Sequence, residues 1–504
     1  MVALRASAHA TTTRERLAAV LIATFLVVFR AYVFIAWEQS HFDADQAIVG
    51  LMAKHLLEGR AFPLYFYGQQ YLLGIEPLLV APAFALGGIS VATLKIPLLI
   101  ANIVVAAGLI VSLERWAGVR PLLGLVAALF FILPPPGTAS RLVQANGCNI
   151  EPFLYVLALW WLRDRPLGLG LVAGVGLLNR EFTAYGVTAL GLTELARGRL
   201  ISLDGLRRWT ITVVAIVSVV QLVNALVPLA SAYGPGTSYA EERAADHATE
   251  VAQRFCWNEG QVLDRLSALV TTQAPEMFGA QRQHVLSIGI VSGRTSQGAD
   301  WLWPVLLAAT LLLLLRTGFL LASGSARDRH AGWFCCYLMM IGVQAMTMYA
   351  VMCGQRTHLT MRYMLLGLLL PIGLWGLHMA LENGRVAKVA SVGVVLAWAT
   401  ISAAAHGRLI REYVEAPPTA DHRVLANHLV SHGIRHARAN FWDAYHVTFL
   451  TAERVRVASS NIVRIREYVD LFELHQSQAV LISTSPCNGS RVARWWVCPA
   501  RPVP

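Results

Sequence analysis

Long apolar runs recur along most of this chain, and short segments rich in arginine separate them. A run of about 20 apolar residues is long enough to cross the hydrocarbon core of a bilayer as a helix. The pattern therefore predicts an all-α polytopic membrane protein with about eleven membrane-spanning helices. The predicted spans lie near residues 17–37, 91–112, 121–139, 149–162, 166–180, 182–195, 209–230, 301–323, 331–353, 363–381 and 387–405.

The charged segments between the spans predict the orientation of the chain. Arginine and lysine concentrate in cytoplasmic loops, and Arg14 and Arg16 precede the first span. We therefore expect a cytoplasmic N-terminus, with residues 38–90, residues 231–300 and everything after residue 406 outside the cytoplasmic (inner) membrane. The apolar segment 72–86 would invert all later charged loops if it crossed the membrane, so we expect it to lie in the interface. The first span is too long for a signal-peptide core, and we expect it to remain as an anchor.

The composition supports a membrane protein, and it bears on how the positive net charge is interpreted. Hydrophobic residues make up 56% of the 504 residues and charged residues only 14%, whereas soluble domains are about one quarter charged. The mean hydropathy of +0.52 agrees with this class. The formal net charge of +11 would suit nucleic acid, but many of the arginines lie in the loops between spans. We therefore expect no nucleic-acid partner.

The last segment, residues 407–504, differs from the rest because its apolar runs are short. Helix-like spacing at 424–430 and a strand-like run at 479–483 predict a small α/β domain, separate from a transmembrane domain of residues 1–406. Cys487 and Cys498 lie in this segment. A disulfide between them is compatible with an extracytoplasmic location, and the sequence leaves that question open.

Two carboxylates follow the first span. Asp43 and Asp45 precede residues 46–57, whose apolar positions are spaced for a helix lying on the membrane surface. Asp45 would occupy the N-cap of that helix, a position that aspartate favours for structural reasons alone. The alternative is an active-site carboxylate that faces a lipid-borne substrate. A D-x-D pair can also bind a divalent cation with a diphosphate, but the motif is weak, and we predict neither a metal nor a cofactor.

Further charged residues fall on the same predicted side of the membrane. Glu151 opens an apolar span, and Glu76 lies in the interfacial segment. Basic residues are less expected on the outer side, so Arg180 and Arg362 suggest a phosphate partner, which guanidinium groups bind in a bidentate manner. Lys95 is another cation within an apolar stretch. Each has a plainer explanation, because acids at the membrane edge can anchor a helix and long cations can extend to the interface.

Acids and cations that converge on one face suit a transfer reaction on a phosphate-linked substrate. The cations would neutralise the phosphate leaving group, while a carboxylate would act as general base on an acceptor hydroxyl. The sequence contains no G-x-S-x-G segment and no P-loop. We therefore do not expect nucleophilic serine chemistry or nucleotide hydrolysis.

The order of these motifs resembles the GT-C membrane glycosyltransferases, in particular family 39, which includes protein O-mannosyltransferases and aminoarabinose transferases. In that family a D-E-A-x-Y-x-x-I-A-x-x-x-L-x-G block follows the first span. Here Asp45 opens a block of equal length through Ala53, Leu57 and Gly59. Asp45 takes the position of the family's catalytic carboxylate, and Asp43 lies outside the block.

Three later features are similar to the same family, in the same order. They are an acid followed by proline at Glu151-Pro152, a T-K-like turn at Asn179-Arg180, and an R-Y pair at Arg362-Tyr363 that opens a late span. The chain departs from the family at Gln46, where the usual residue is glutamate. It also has Gln69-Gln70 where relatives that use aminoarabinose carry Lys-Pro. The resemblance covers residues 15–380.

The resemblance implies an inverting transferase at the outer face of the membrane. It would move a sugar from a polyprenyl-phosphate donor to a hydroxyl of an acceptor glycan, lipid or protein, without a metal. Asp45 and Glu151 would be catalytic, and the substrate-binding residues would be Asp43, Gln69, Glu76, Lys95, Arg180, Arg362 and Tyr363. Two alternatives stay open: a transporter or flippase of lipid-linked sugars, for which inverted repeats are expected, and a non-catalytic membrane scaffold.

Overall fold

The computed structural model describes residues 2–37, 41–147, 149–227, 258–280, 283–284, 295–296, 300–323, 326–352 and 361–500. Most of the outer loop predicted for residues 231–300 lies outside the described residues. The described chain forms a bundle of helices that is followed by a small domain built on a sheet.

The first part of the bundle contains ten helices in succession and one hairpin within the described residues. They are α1 (Val2–Ala36), α2 (Ala44–Leu57), the hairpin of β1 (Tyr65–Phe66) and β2 (Gln69–Leu73), α3 (Ile75–Gly87), α4 (Val91–Ala117), α5 (Pro121–Ile132), α6 (Pro136–Leu142), α7 (Glu151–Leu162), α8 (Pro166–Asn179), α9 (Thr183–Ala196) and α10 (Leu203–Leu226).

The second part of the bundle follows a segment that the structure does not describe. Its elements are α11 (Glu259–Ala268), a π-helical turn (Leu269–Gln273), α12 (Ala274–Met277), the short strands β3 (Gln283–His284) and β4 (Thr295–Ser296), α13 (Leu302–Ser323), α14 (Ala326–Val351), α15 (Met361–Met364), a 3-10 turn (Leu365–Leu368), α16 (Leu369–Leu381) and α17 (Arg385–Glu415).

Within the described residues every predicted span coincides with helix, but the helices differ in length. Seven of these described helices are long and apolar enough to cross a membrane, and α5 with α6 would make an eighth. These two helices meet at a bend of 89°. The bend lies at a run of three prolines that ends at Pro136, and it forms there because proline removes a backbone donor and restricts the residue before it. α7, α8 and α9 have 12, 14 and 14 residues, fewer than the about 20 that a straight span needs. The predicted number of eleven therefore holds for helical segments rather than for full-length spans.

Charged segments that flank the predicted spans contact one another. The segment before the first span pairs with the loop after α4, and the loop after α7 pairs with the segment after α9. The ion pairs are Arg16–Glu114, Arg120–Glu15, Arg199–Asp164, Arg208–Asp164 and Arg208–Glu194. These contacts group the charged loops at common ends of the bundle.

The helix that carries the two aspartates differs from the prediction in two ways. It begins at Ala44, and Asp43 is its N-cap, with a carboxylate that accepts the backbone amide of Gln46 at 3.1 Å. The expectation that Asp45 caps this helix was wrong, because the earlier start places Asp45 in the first turn. The helix also does not lie on a surface: it packs between α3 and a helix of the C-terminal domain, and most of its side chains are buried.

The C-terminal domain is the predicted α/β unit. Its elements are α18 (Asp421–Ser431), β5 (His436–Ala439), α19 (Phe441–Leu450), β6 (Arg456–Ser459), α20 (Arg466–Leu474), β7 (Val480–Ser483), β8 (Ser490–Val492) and β9 (Trp495–Pro499). The sheet has the order β6-β5-β7-β9-β8. The first three strands are parallel and the last two are antiparallel, and α19 and α20 supply the crossovers that parallel strands require.

The boundaries of this domain refine the sequence prediction. Residue 407, where the domain was predicted to start, lies inside α17, which continues to Glu415. The helix predicted at 424–430 is α18, and the strand predicted at 479–483 is β7. Cys487 and Cys498 form a disulfide, with Cα atoms 6.0 Å apart. The bond joins the segment before β8 to the strand β9.

Candidate active site

The candidate site is centred on the first turn of α2. The Asp45 side chain is half-buried there and interacts electrostatically with Arg362 and Arg464. Burial raises the pKa of Asp45 above its ordinary value, and the two guanidinium groups oppose this shift. Because Asp43 makes the helix cap, the Asp45 carboxylate is not used to begin the helix. A partly desolvated carboxylate with a raised pKa is suited to accept a proton.

Asp43 is more deeply buried than its neighbour. Burial and the charge of Asp45 raise the pKa of Asp43 to about 6, while hydrogen bonds from Gln46 and the charge of Arg141 oppose this shift. Two carboxylates this close share their titration, since each charge disfavours the other. The two acids therefore have distinct places, with Asp43 at the cap and Asp45 facing the arginines.

Arg180 and Arg362 meet at one aromatic ring, that of Tyr363. Nη2 of Arg362 donates to the Tyr363 hydroxyl at 2.9 Å, and its guanidinium lies 4.9 Å from the ring centre. The Arg180 guanidinium lies 5.7 Å from the same ring and 5.5 Å from that of Phe182. Arg180 also makes a local ion pair with Glu181 at 3.7 Å. The arrangement concentrates positive charge beside the site, as phosphate binding requires.

The two glutamates of the prediction lie in a second group. Glu151, in the first turn of α7, is buried, and neither of its carboxylate oxygens has a hydrogen-bond partner among the described residues. Glu76, in the first turn of α3, accepts the backbone amide of Gly147 at 2.7 Å. Both carboxylates interact electrostatically with Tyr155. Glu76 therefore holds a turn in place, whereas Glu151 is a buried acid without such a contact.

The turn between α6 and α7 connects the two groups. The amide of Ala145 donates to Gln46 at 3.4 Å, and the Asn149 side chain donates to the Arg141 carbonyl at 2.6 Å. Gly147 has a φ of +80°, a conformation that only glycine adopts readily. Contacts from α2, α3 and α6 thus fix one turn, which places Glu151 relative to the aspartates. Cys148, which follows Gly147 in the sequence, lies outside the described residues.

Lys95 and Gln69 lie at the edges of the site. Lys95 is buried in α4, and its Nζ donates to the carbonyl oxygens of Phe34 at 2.7 Å and His41 at 2.5 Å. These bonds attach the end of α1 and the segment before Asp43 to α4. Gln69 begins β2 and pairs with Phe66 across the hairpin, directly after the turn at Gly68.

Sequence reasoning missed two arginines of the site. Arg141 lies in the short helix α6 after the proline break, and it interacts with both Asp43 and Arg362. Its position after three prolines was a usable signal. Arg464 comes from the C-terminal domain, and only the folded arrangement brings it to Asp45. Within the described part of the chain, no group of three or more His, Cys, Asp or Glu side chains is placed to hold a metal ion.

Comparisons with known proteins establish the fold. Neither a family model nor a curated protein matches the sequence. The structure is similar to ArnT from Cupriavidus metallidurans bound to undecaprenyl phosphate, with a TM-score of 0.55 and 12% identity over 94% of this chain and 97% of that one. An oligosaccharyltransferase from Archaeoglobus fulgidus, in complex with Zn and sulfate, has a TM-score of 0.49 and 11% identity over 88% of this chain and 62% of that one. The expected GT-C fold class is confirmed by the first likeness.

Proposed function

We propose that this chain, which shares the fold of ArnT, is an inverting glycosyltransferase. It takes a sugar from a polyprenyl-phosphate donor and transfers it to a hydroxyl group of an acceptor. The observation that carries the proposal is the electrostatic interaction of one half-buried carboxylate, Asp45, with the guanidinium group of Arg362. A carboxylate base and a phosphate-binding cation are the two groups that this transfer requires.

The reaction assigns a role to each group. The acceptor hydroxyl gives its proton to Asp45 while its oxygen bonds to the anomeric carbon of the donor. The bond between that carbon and the phosphate oxygen breaks, and the phosphate leaves with the electron pair. Direct displacement inverts the configuration at the anomeric carbon. Arg362 and Arg180 neutralise the charge that develops on the leaving phosphate.

Other residues of the site support this reaction. We propose that Glu151, whose buried carboxylate has no partner among the described residues, orients the acceptor as the second catalytic acid. Asp43 begins the helix that carries the base, and Lys95 fixes the segment before it. Glu76 and Gln69 shape the rim of the site, and Tyr363 aligns the two arginines.

An apolar groove offers a place for the isoprenoid chain of the donor. It has a volume of about 590 Å³ and lies between α3 and α4. Its lining includes Leu79, Pro82, Ile96, Pro97, Ile100 and Leu154. α3 carries Glu76 at its opposite end. A lipid chain in this groove would run along the bundle while its phosphate lies near the site.

The location of the site is part of the proposal. The charged loops gather at ends of the bundle and predict the cytoplasmic side. The disulfide of Cys487 and Cys498 belongs to a domain that contacts α2, and disulfides persist in oxidising compartments. We infer a multi-pass protein of the cytoplasmic membrane whose N-terminus is cytoplasmic and whose C-terminal domain and site face outward.

The experiment that tests this function compares the glycolipids, glycans and glycoproteins of a deletion strain by mass spectrometry. A missing hexose or pentose identifies both donor and acceptor. The wild-type gene should restore the modification, and so should Asp470→Asn, a control at an acid that pairs with Arg466 four residues before it. Asp45→Asn should not restore it at equal expression. Full restoration by Asp45→Asn would instead favour a flippase or a scaffold.

A further inference from the structure

Hydrogen bonds and ion pairs attach the C-terminal domain to α2, the helix that carries Asp45. Glu453, in the turn after α19, accepts hydrogen bonds from Lys54 of α2 at 2.5 Å and from Arg60 at 2.7 Å. The Tyr468 hydroxyl of the domain itself donates to the same carboxylate at 2.8 Å. Because Glu453 is buried, these contacts hold the domain and α2 in one relative position.

The turn that presents Glu453 has an unusual backbone conformation. Ala452 and Glu453 have φ values of +50° and +64°, which residues other than glycine rarely adopt and which persist only where the surrounding contacts enforce them. Before this turn, the Phe449 ring packs so closely on α2 that a Cβ at Gly50 would overlap with it. The C-terminal domain therefore docks on α2 in a single, well-defined position.

This docking brings Arg464 within range of an electrostatic interaction with Asp45. The Nη1 atom of Arg464 donates to the carbonyl of Gly68 in the β1–β2 turn, and its backbone amide donates to the Tyr445 hydroxyl at 2.6 Å. The Nε atom of Arg464 is buried and has no hydrogen-bond partner in the part of the chain that the structure describes. A buried donor without a partner is costly, so this nitrogen is suited to an acceptor that a ligand brings.

We propose that Arg464, supplied by the C-terminal domain, binds the phosphate of the lipid-linked donor next to Asp45. The proposal rests on the function proposed above and adds a residue to it. Arg362 belongs to the membrane domain and Arg464 to the C-terminal domain, and both interact with Asp45. The phosphate is therefore held between the two domains, and a guanidinium can bind two of its oxygens. The C-terminal domain is part of the donor site.

The test measures the affinity of the full-length protein for undecaprenyl phosphate in detergent micelles, by tryptophan fluorescence. Arg464→Gln should weaken binding by about tenfold or more, because a hydrogen bond to a charged group is lost. Arg464→Lys should recover part of the affinity. Arg466→Gln is the matched control, since this exposed arginine pairs with Asp470, and its affinity should stay within about twofold.

A second variant displaces Arg464 without removing its charge. A Cβ at Gly68 would lie 2.8 Å from Cδ of Arg464, so Gly68→Ala should move that side chain and weaken binding. Gly59→Ala is its control, because the φ of +65° at Gly59 matches the +67° at Gly68, and a Cβ there meets open space. Both variants carry the same backbone strain, and only one of them displaces Arg464.

The outcomes separate this inference from the function on which it rests. If the wild type binds undecaprenyl phosphate saturably while Arg464→Gln and Gly68→Ala bind equally well, Arg464 has no part in donor binding and the inference fails alone. If the wild type shows no saturable binding, both proposals fail. Asp45→Asn should bind undecaprenyl phosphate as the wild type does and yet lose transfer.

Discussion

Replacing Glu453 with glutamine tests how firmly the C-terminal domain is attached to α2. The carboxylate accepts hydrogen bonds from Lys54, Arg60 and Tyr468 and lies 3.2 Å from Nε2 of His55. Burial alone would raise the pKa of Glu453, but hydrogen bonds from His55 and Arg60 hold this pKa well below its ordinary value. The glutamine variant keeps the shape of the side chain, removes its charge and replaces one acceptor oxygen with an NH2 group.

The structure sets the size of the expected loss. Removing one partner of a buried ion pair costs about 3–5 kcal/mol, because the other charge is left buried and unpaired. Lys54 is only 7% exposed, but it has a second partner in Glu58 at 2.8 Å, and Arg60 is 27% exposed. These features reduce the penalty, so we expect Glu453→Gln to lower the free energy of unfolding by about 2–3 kcal/mol.

Thermal unfolding of the purified protein, with limited proteolysis between α17 and α18, measures this loss. Glu473→Gln is the control, because Glu473 is 61% exposed and lies 3.4 Å from Arg438, and it should change stability by less than about 0.5 kcal/mol. Since the folded-state pKa of Glu453 is depressed, its contribution is present above the unfolded value of 4.5 and is lost as pH falls below it. Equal stabilities of Glu453→Gln and Glu473→Gln at neutral pH would refute the attachment.

Three further predictions concern single groups. Glu151→Gln should abolish transfer but leave the unfolding temperature unchanged or higher, because the buried carboxylate that it removes has no partner among the described residues. Transfer by the wild type should fall in mildly acidic solution, because burial raises the pKa of Asp45 and protonation removes the base; in Asp43→Asn, which keeps a good N-cap, the loss of the neighbouring negative charge should move this decline to lower pH in a pH–rate profile. Cys498→Ser should lower stability by about 3 kcal/mol, as expected for a short closed loop, in thermal unfolding without reductant.

The spans and the small domain were predictable because their signals are local. Apolar runs fix where helices form in a membrane protein, and period-two and period-3.6 patterns identified α18 and β7. The bend between α5 and α6 also has a local cause, the proline run that ends at Pro136. The apolar pattern does not determine how long each helix is in the folded protein. Three of the predicted spans are therefore short helices in the structure, namely α7, α8 and α9.

The details of α2 depend on tertiary contacts. Asp43 and Asp45 are two residues apart, and the sequence allows either of them to cap the helix. Asp43 becomes the cap because Gln46 fixes this segment: its backbone amide donates to Asp43 and its side-chain amide donates to the His41 carbonyl. The apolar face of α2 predicted a surface helix because the sequence does not show that α19 covers the other face. Arg464 reaches Asp45 only through that same docking, so no local pattern could have identified it.

The most direct test of the central claim measures sugar transfer in membrane vesicles from the deletion strain, which contain the native donor and acceptor. Purified wild type, Asp45→Asn and the control Asp470→Asn would be added in equal amounts, and the modified acceptor would be quantified by mass spectrometry. Loss of one catalytic base is expected to slow transfer by about 10²–10⁴-fold. The account predicts this loss for Asp45→Asn, with normal folding and normal binding of undecaprenyl phosphate. Wild-type rates of transfer by Asp45→Asn would contradict it.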